Sequence, residues 1–426
     1  MMGTPLGAQQ RWLHSMYNTT HGGRRSVGHD VESDVCIANA LANLKQAKKA
    51  HMPADSKEVT RNVREFMQSH QQYNKVVAVV FWGRHRYTSL LQPYLSRELA
   101  VNGGVLDEIW LCINTLDKKD AKAGTDWAAG DDHVRAINVT GKTTAGGEPI
   151  DGISYCITRV MQHQPRTVFV KVDDDIVRIE AGALAHLVSH LIFHPSATFR
   201  RHGVVCANVV NHGNIATIHA ALGAWHFNSR ERTSFYNFSS QPGSSLVSSG
   251  VRQHAAYIAH AQLGSTDIYR FRAFDLNQCS CEGQFVGVAN NRCIGRNYYR
   301  WPVNLIAFSG EYVDHQELPD TNDEWWLSAG WPEWLGEHAE VAGDAVVVHF
   351  AYERQRWRME RGGKQSIAAL LYTNYSRMAK AVAYKHGPPF QIASKYHVPT
   401  SEMDSHTWRR NLDGGGTHRR RPGVDI

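Results

Sequence analysis

The apolar residues of this chain fall into short dense runs separated by turns. Val76-Val77-Ala78-Val79-Val80-Phe81 is unbroken and rich in β-branched valine, the pattern of a strand covered on both faces in a parallel sheet. Gly83 and Arg84 end it. Leu90, Leu91, Tyr94, Leu95 and Leu99 then recur at helical spacing over 87–100, and Asn102-Gly103-Gly104 turns the chain into a second strand over 108–113. The alternation continues with a helix over 153–163, a strand over 167–172, a helix over 181–193 and a strand over 204–210. Strands alternating with helices through short turns predict a doubly wound α/β sheet flanked by helices.

The flanks differ. Residues 1–74 are polar, with helices expected over 35–49 and 56–70, and read as an N-terminal arm. From 213 to 297 the periodicity dissolves into mixed Ser, Gly, Arg and aromatic residues, with Gln241-Pro242-Gly243-Ser244-Ser245 reading as a loop. An irregular stretch this long in a compact enzyme is usually functional or else poorly ordered. Regularity returns in strands over 303–308 and 345–350 and in a last helix over 366–384. The expected organisation is an arm (1–74), a catalytic domain (75–385, with a first half to 212, an insertion over 213–297 and a second half from 298) and a basic tail (386–426).

Composition narrows the classes. At 426 residues, with 42% hydrophobic and 20% charged residues, the chain is an ordinary globular one. No apolar run reaches about 18 residues, so no segment is expected to span a membrane. The net charge of +6 suits an anionic ligand such as a nucleotide diphosphate and does not single out nucleic acid. Part of the excess lies in the tail, at Arg409-Arg410 and Arg419-Arg420-Arg421. Cys112, Cys156 and Cys206 sit in apolar stretches and read as small hydrophobes. Cys279, Cys281 and Cys293 cluster in an irregular stretch, where the readings are a disulfide or a zinc site, the latter lacking a fourth ligand at a suitable spacing.

The chemistry concentrates in Val168-Phe169-Val170-Lys171-Val172-Asp173-Asp174-Asp175. In open α/β sheets ligands bind beyond the carboxyl ends of the strands, where these acids fall. Asp173 and Asp175 would share a side if the strand continued, with Cα atoms roughly 6–7 Å apart. Three adjacent carboxylates at a buried strand end repel one another, and a hard divalent cation resolves that conflict. The blander reading has Asp175 capping the next helix. A third reading takes Asp173 as the nucleophile of a haloacid-dehalogenase-type phosphatase, and a fourth takes the chain as a non-catalytic carbohydrate- or nucleotide-binding protein.

The run "VFVKVDDDIV" resembles the DxD motif of GT-A glycosyltransferases, in the KxDDD form of β-1,3-galactosyltransferase and fringe-like enzymes. The wider order of "VVAVVFWGRHR", "GGVLDEIWLCINT", "VNLIAFSGEYV", "NDEWWLS" and "VVVHFAYERQR" is similar to fungal glycosyltransferase-like proteins. The resemblance covers about 75–385 and implies a GT-A-like mixed sheet with Mn²⁺ or Mg²⁺ as cofactor. It places the metal on Asp173, Asp175 and His349. The nucleotide sugar falls to Gly83, Arg84, Arg86, Asp173, Asp174, Arg354 and Arg356. The base that deprotonates the acceptor would be Asp323 or Glu324, in the order Asp-Glu where fringe-like enzymes have Glu-Asp. Trp325, Trp326 and Trp331 would line the acceptor site, the alternative for these tryptophans being core packing. The implied partners are a nucleotide-diphosphate sugar and a glycan, glycoprotein or glycolipid acceptor. Enzymes of this resemblance often work in the Golgi behind an N-terminal anchor, and no anchor or signal is read in this chain.

Overall fold

The computed structural model describes residues 55–142, 152–193, 202–226, 243–275, 303–313, 327, 331, 338–361 and 366–386. The chain enters through helix α1 (Ser56–Ser69), capped by the Asp55 carboxylate, and continues into β1 (Lys75–Trp82) and α2 (His85–Arg97). Strand β2 (Glu108–Ile113), α3 (Lys118–Ala129) and β3 (Val134–Asn138) follow. Strand β4 (Thr167–Asp173) leads through Asp174 and Asp175 into the short β5 (Ile176–Ile179), then α4 (Ala183–Ile192) and β6 (His202–Val210). The remaining elements are α5 (Gly213–Ala221), α6 (Gly243–Gln262), β7 (Phe274–Asp275), β8 (Leu305–Ser309), β9 (His338–His349), α7 (Glu353–Met359) and α8 (Ile367–His386).

Eight strands form one mixed sheet in the order β3-β2-β1-β4-β8-β6-β9-β5, and β7 pairs with β9 as a ninth. β1 is parallel to β2 and β4, and β2 to β3. β8 runs against both β4 and β6, and β6 is parallel to β9. Strands β1, β4, β6 and β9 therefore point the same way, and their carboxyl ends share one edge.

The sheet must curl. Only Asp174 and Asp175 separate β4 from β5, yet β5 lies four places away in strand order. Four flat inter-strand spacings are roughly 19 Å, whereas the three Cα steps from Asp173 to Ile176 span at most about 11 Å. The chain closes that gap by bending the sheet back so that Ile176 pairs with His349.

Both faces are covered, as the uninterrupted valines of β1 require. Val76, Ala78 and Val80 pack with residues of α1, α2, α4, α6 and α8. Val77, Val79 and Phe81 face the other core, with Phe169, Ile218, Phe308 and Trp331. Helix α1, expected in a separate arm, belongs to this body: Val63 is fully buried and Met67 nearly so. The insertion expected to be irregular contains α5 and the 20-residue α6. Gly243-Ser244-Ser245, read as loop, opens α6. The helix expected over 153–163 is instead a short turn, Gly152–Tyr155, followed by a π-helical turn, Cys156–Val160. The expected helix over 35–49 and the tail lie outside the described residues.

Cys112 and Cys156 correct another expectation. They are bonded to each other, with Cα atoms 6.2 Å apart, and tie β2 to the π-helical turn. Cys206 alone among the described cysteines is free, and it is buried. No described helix is long and apolar enough to cross a membrane.

Strand β9 changes register against β6 between Ala342 and Val346. The bulge is pinned by Asn208, whose Nδ2 donates to Gly343 O at 2.7 Å and to Tyr269 O at 2.8 Å. A Cβ at position 343 would stand 1.9 Å from Phe271 O, so only glycine admits this close approach.

Candidate functional site

The common carboxyl edge of the sheet collects the polar residues. Gly83 and Arg84 follow β1, the three aspartates close β4, Asn211 follows β6 and His349 ends β9. Ligand sites of open α/β sheets lie at such an edge. The curl described above brings His349 to Asp175.

Asp175 is the hub. Its Oδ2 lies 3.3 Å from His349 Nε2 and 3.1 Å from Arg84 Nη2, and all but Arg84 are deeply buried. Its backbone carbonyl accepts from Phe350 N at 2.8 Å, which fixes the turn against the end of β9. Burial pushes its carboxyl up, but the facing His349 and Arg84 outweigh that and hold it at about 2. His349 is raised in turn: burial opposes its charge, and Asp175 overcomes the opposition. The other ring nitrogen, Nδ1, stands 3.4 Å from Asn211 O and can only donate to it.

Asp174 takes Arg84. Arg84 Nε donates to both carboxylate oxygens, at 2.9 and 2.8 Å, and Nη2 closes on Oδ1. Burial still pushes Asp174 up to about 6 against that pairing. A Cβ at Gly83 would sit 3.1 Å from Asp174 Oδ2, so the glycine leaves room for this carboxylate.

Asp173 is held apart from the other two. Its Oδ1 pairs with Lys171 Nζ at 2.5 Å, and its Oδ2 accepts from Asn304 Nδ2 at 3.1 Å. Lys171 is almost completely buried and also donates to Val303 O at 2.7 Å. Burial, then the neighbouring Asp175, raise Asp173 despite Lys171. Each Asp173 oxygen thus has one partner, which leaves lone pairs on both.

Among the described residues, no three His, Cys, Asp or Glu side chains converge on one point as a complete metal cage. Two donors do converge. Asp175 Oδ2 and His349 Nε2, 3.3 Å apart, match the separation of adjacent ligands on an ion bound at about 2.1–2.2 Å to each. The carboxylate suits Mn²⁺ or Mg²⁺ and the imidazole suits softer ions such as Zn²⁺ and Fe²⁺, and Mg²⁺-type ions commonly keep few protein ligands, completing their shell with water and phosphate.

The remaining expected residues separate. Arg86 pairs with Glu360 at 2.7 Å and lies over Tyr87 and Tyr372, turned to α8 and the end of α7 rather than to the aspartates. Arg356 is half-buried on α7, and the side chain of Arg354 lies outside the described set. Trp331 is buried, edge-on to Phe308 and Tyr312, so it packs the core instead of presenting a platform. Asp323, Glu324, Trp325 and Trp326 lie outside the described residues.

Beneath His349 lies a network that sequence reading passed over. Asn211, at φ +64° and fully buried, donates through Nδ2 to Phe350 O at 3.0 Å and to Gln355 Oε1 at 3.2 Å. Gln355 Nε2 returns a bond to Asn211 Oδ1 at 3.3 Å. His254 donates from Nε2 to Phe350 O at 2.7 Å and accepts at Nδ1 from Tyr375 at 2.8 Å. The neutral imidazole satisfies both contacts, and burial pushes His254 down to about 4. Its folded value lies below its unfolded one, so the unfolded chain binds more protons between the two. His254's own contribution to stability should therefore be intact above pH 6.5 and fall by about 3 kcal/mol as pH drops from 6.5 to 4, while the raised carboxyl of Asp174 works in the opposite direction over the same range. The difference between the urea midpoints of the wild type and His254→Gln isolates the histidine: the variant should gain on the wild type as pH falls.

Neither a protein-family model nor a curated protein matches this chain.

Proposed function

We propose that this protein is a metal-dependent glycosyltransferase of the GT-A type, moving a sugar from a nucleotide-diphosphate sugar to an acceptor hydroxyl with inversion. The observation that carries the reading is the meeting of Asp175 and His349, 3.3 Å apart, from segments of chain far apart in sequence. A buried carboxylate that merely capped a helix would not need a histidine brought across a curled sheet.

The surroundings support it. His349 Nδ1 donates to a backbone carbonyl, the usual device that fixes a metal-ligating histidine with its other nitrogen free. Arg84 lies on the same carboxylates and offers the planar fork suited to phosphate oxygens. Asp173, held by Lys171 and Asn304, is a fixed acceptor for a ribose hydroxyl or a metal-bound water. A divalent ion on Asp175 and His349 would neutralise charge that grows on the diphosphate as it leaves. The acceptor's proton would pass to Asp323 or Glu324. The acceptor class is a glycan, glycoprotein or glycolipid.

A thermal-shift panel of nucleotide sugars with and without Mn²⁺ tests the reading. A cognate donor at 100 times its Kd should stabilise by about 2.7 kcal/mol, and His349→Ala should lose the Mn²⁺-dependent part. A nucleotide shift indifferent to both EDTA and His349→Ala would sink the metal site. Phosphate release from a simple ester would favour the phosphatase instead.

A further inference from the structure

Arg84 does two jobs with one guanidinium. Its Nε and Nη2 clamp Asp174, an anchor that Gly83 makes room for. Its Nη2 also reaches Asp175 Oδ2 at 3.1 Å, the same oxygen that faces His349 Nε2 at 3.3 Å. Nη1 has no partner among the described residues. The contact to Asp175 thus sits on the oxygen that a metal on Asp175 and His349 would use, while the clamp on Asp174 does not.

Charge decides what happens next. Three carboxylates face Lys171, Arg84 and the imidazole of His349, so without a metal the edge holds no surplus of positive charge to draw a nucleotide diphosphate. A divalent cation turns the net charge to plus one and makes Asp175 a poor partner for Nη2, since the ion now takes its oxygen.

Resting on the reading above, we propose that Arg84 couples metal and diphosphate binding. It bridges Asp174 and Asp175 in the ligand-free protein, and once a divalent cation takes Asp175 and His349 it keeps Asp174 and turns its Nη1–Nη2 edge to the phosphates of a nucleoside diphosphate. Metal binds first, and each ligand strengthens the other, because coupling between two sites is reciprocal.

The experiment measures Mn²⁺ affinity by electron paramagnetic resonance of free Mn²⁺, and UDP and GDP affinity by calorimetry at fixed free Mn²⁺, on the wild type, Arg84→Gln and Arg84→Lys. The wild type should bind the better nucleotide at least about tenfold more tightly with Mn²⁺ than without. Arg84→Gln should bind Mn²⁺ alone more tightly than wild type, about tenfold, yet bind the nucleotide at least tenfold more weakly in Mn²⁺. Arg84→Lys keeps the charge without the fork, so its Mn²⁺ affinity should stay within about threefold while nucleotide affinity still falls. If Arg84→Gln does not fold, the lysine variant decides, and unchanged nucleotide affinity in it overturns the proposal. Mn²⁺ binding with unaltered coupling in the variants overturns the role of Arg84 and leaves the metal site standing. A wild type that binds no Mn²⁺ overturns the metal site itself, and this inference with it.

Discussion

Asp175→Asn should reduce sugar transfer by about a thousandfold or more while leaving the protein folded. The amide keeps the shape of the side chain but not the charge. Asp175 is the group that both His349 and Arg84 face, so the substitution removes the anionic half of the donor pair on which the cation would sit. Losing one preorganised electrostatic element in a water-poor site commonly costs about 10²–10³ in turnover. A metal-anchoring group should stand at or above the top of that range, about 4 kcal/mol. Stability should fall as well, because His349 and Arg84 lose the charge they face, but relief of repulsion from Asp173 and Asp174, both of which Asp175 pushes upward, offsets part of that loss. The measurement pairs single-turnover transfer at saturating Mn²⁺ with a melting curve. Turnover within tenfold of the wild type, in a protein that still melts cooperatively, would remove Asp175 from the reaction.

Asp175 could be singled out as a candidate in the sequence because three acids follow a run of apolar, β-branched residues at a strand end. His349 was legible only as the last polar residue of an apolar strand. Its meeting with Asp175 was expected from the family resemblance alone, because it depends on a curl that no local pattern encodes. β1, β2 and β4 could be read from unbroken apolar runs, since burial on both faces leaves no room for polar positions. β5 could not: four residues after an acidic turn carry no period of their own. Helix α6 was missed because its inner face buries Ser249, Gln253 and His254 beside Val251 and Ile258, so the hydrophobic stripe is interrupted. The Cys112–Cys156 bond joins residues 44 apart in sequence, and each cysteine fits its own apolar run without a partner. Lys171 left the clearest overlooked signal: a lysine alternating with Asp173 inside a buried strand must be paired.

The largest loss of stability should come from Asn211→Ala, at about 3–5 kcal/mol. Asn211 turns the chain out of β6 in a left-handed conformation, φ +64°, which disfavours alanine by about 1 kcal/mol. The amide it would lose is fully buried, and each partner left unsatisfied there adds about 1–3 kcal/mol. Three substitutions separate these contributions. Asn211→Gly relieves the backbone and loses only the amide, so it should be the mildest. Asn211→Asp keeps the size and the tolerance of a positive φ, yet it should be at least as harmful as alanine. The reason is polarity: Nδ2 faces three acceptors, Phe350 O, Gln355 Oε1 and His349 O, and a carboxylate would set a buried oxygen against them all. Chemical denaturation should rank the variants Gly, then Ala, then Asp. An aspartate variant as stable as the wild type would show that shape, not donation, is what the position needs. The same amide aligns the carbonyl of Phe350 directly after His349, and the backbone carbonyl of Asn211 receives His349 Nδ1. In the glycine variant, which should stay folded, weaker Mn²⁺ binding would therefore report the loosening of His349 separately from the loss of stability.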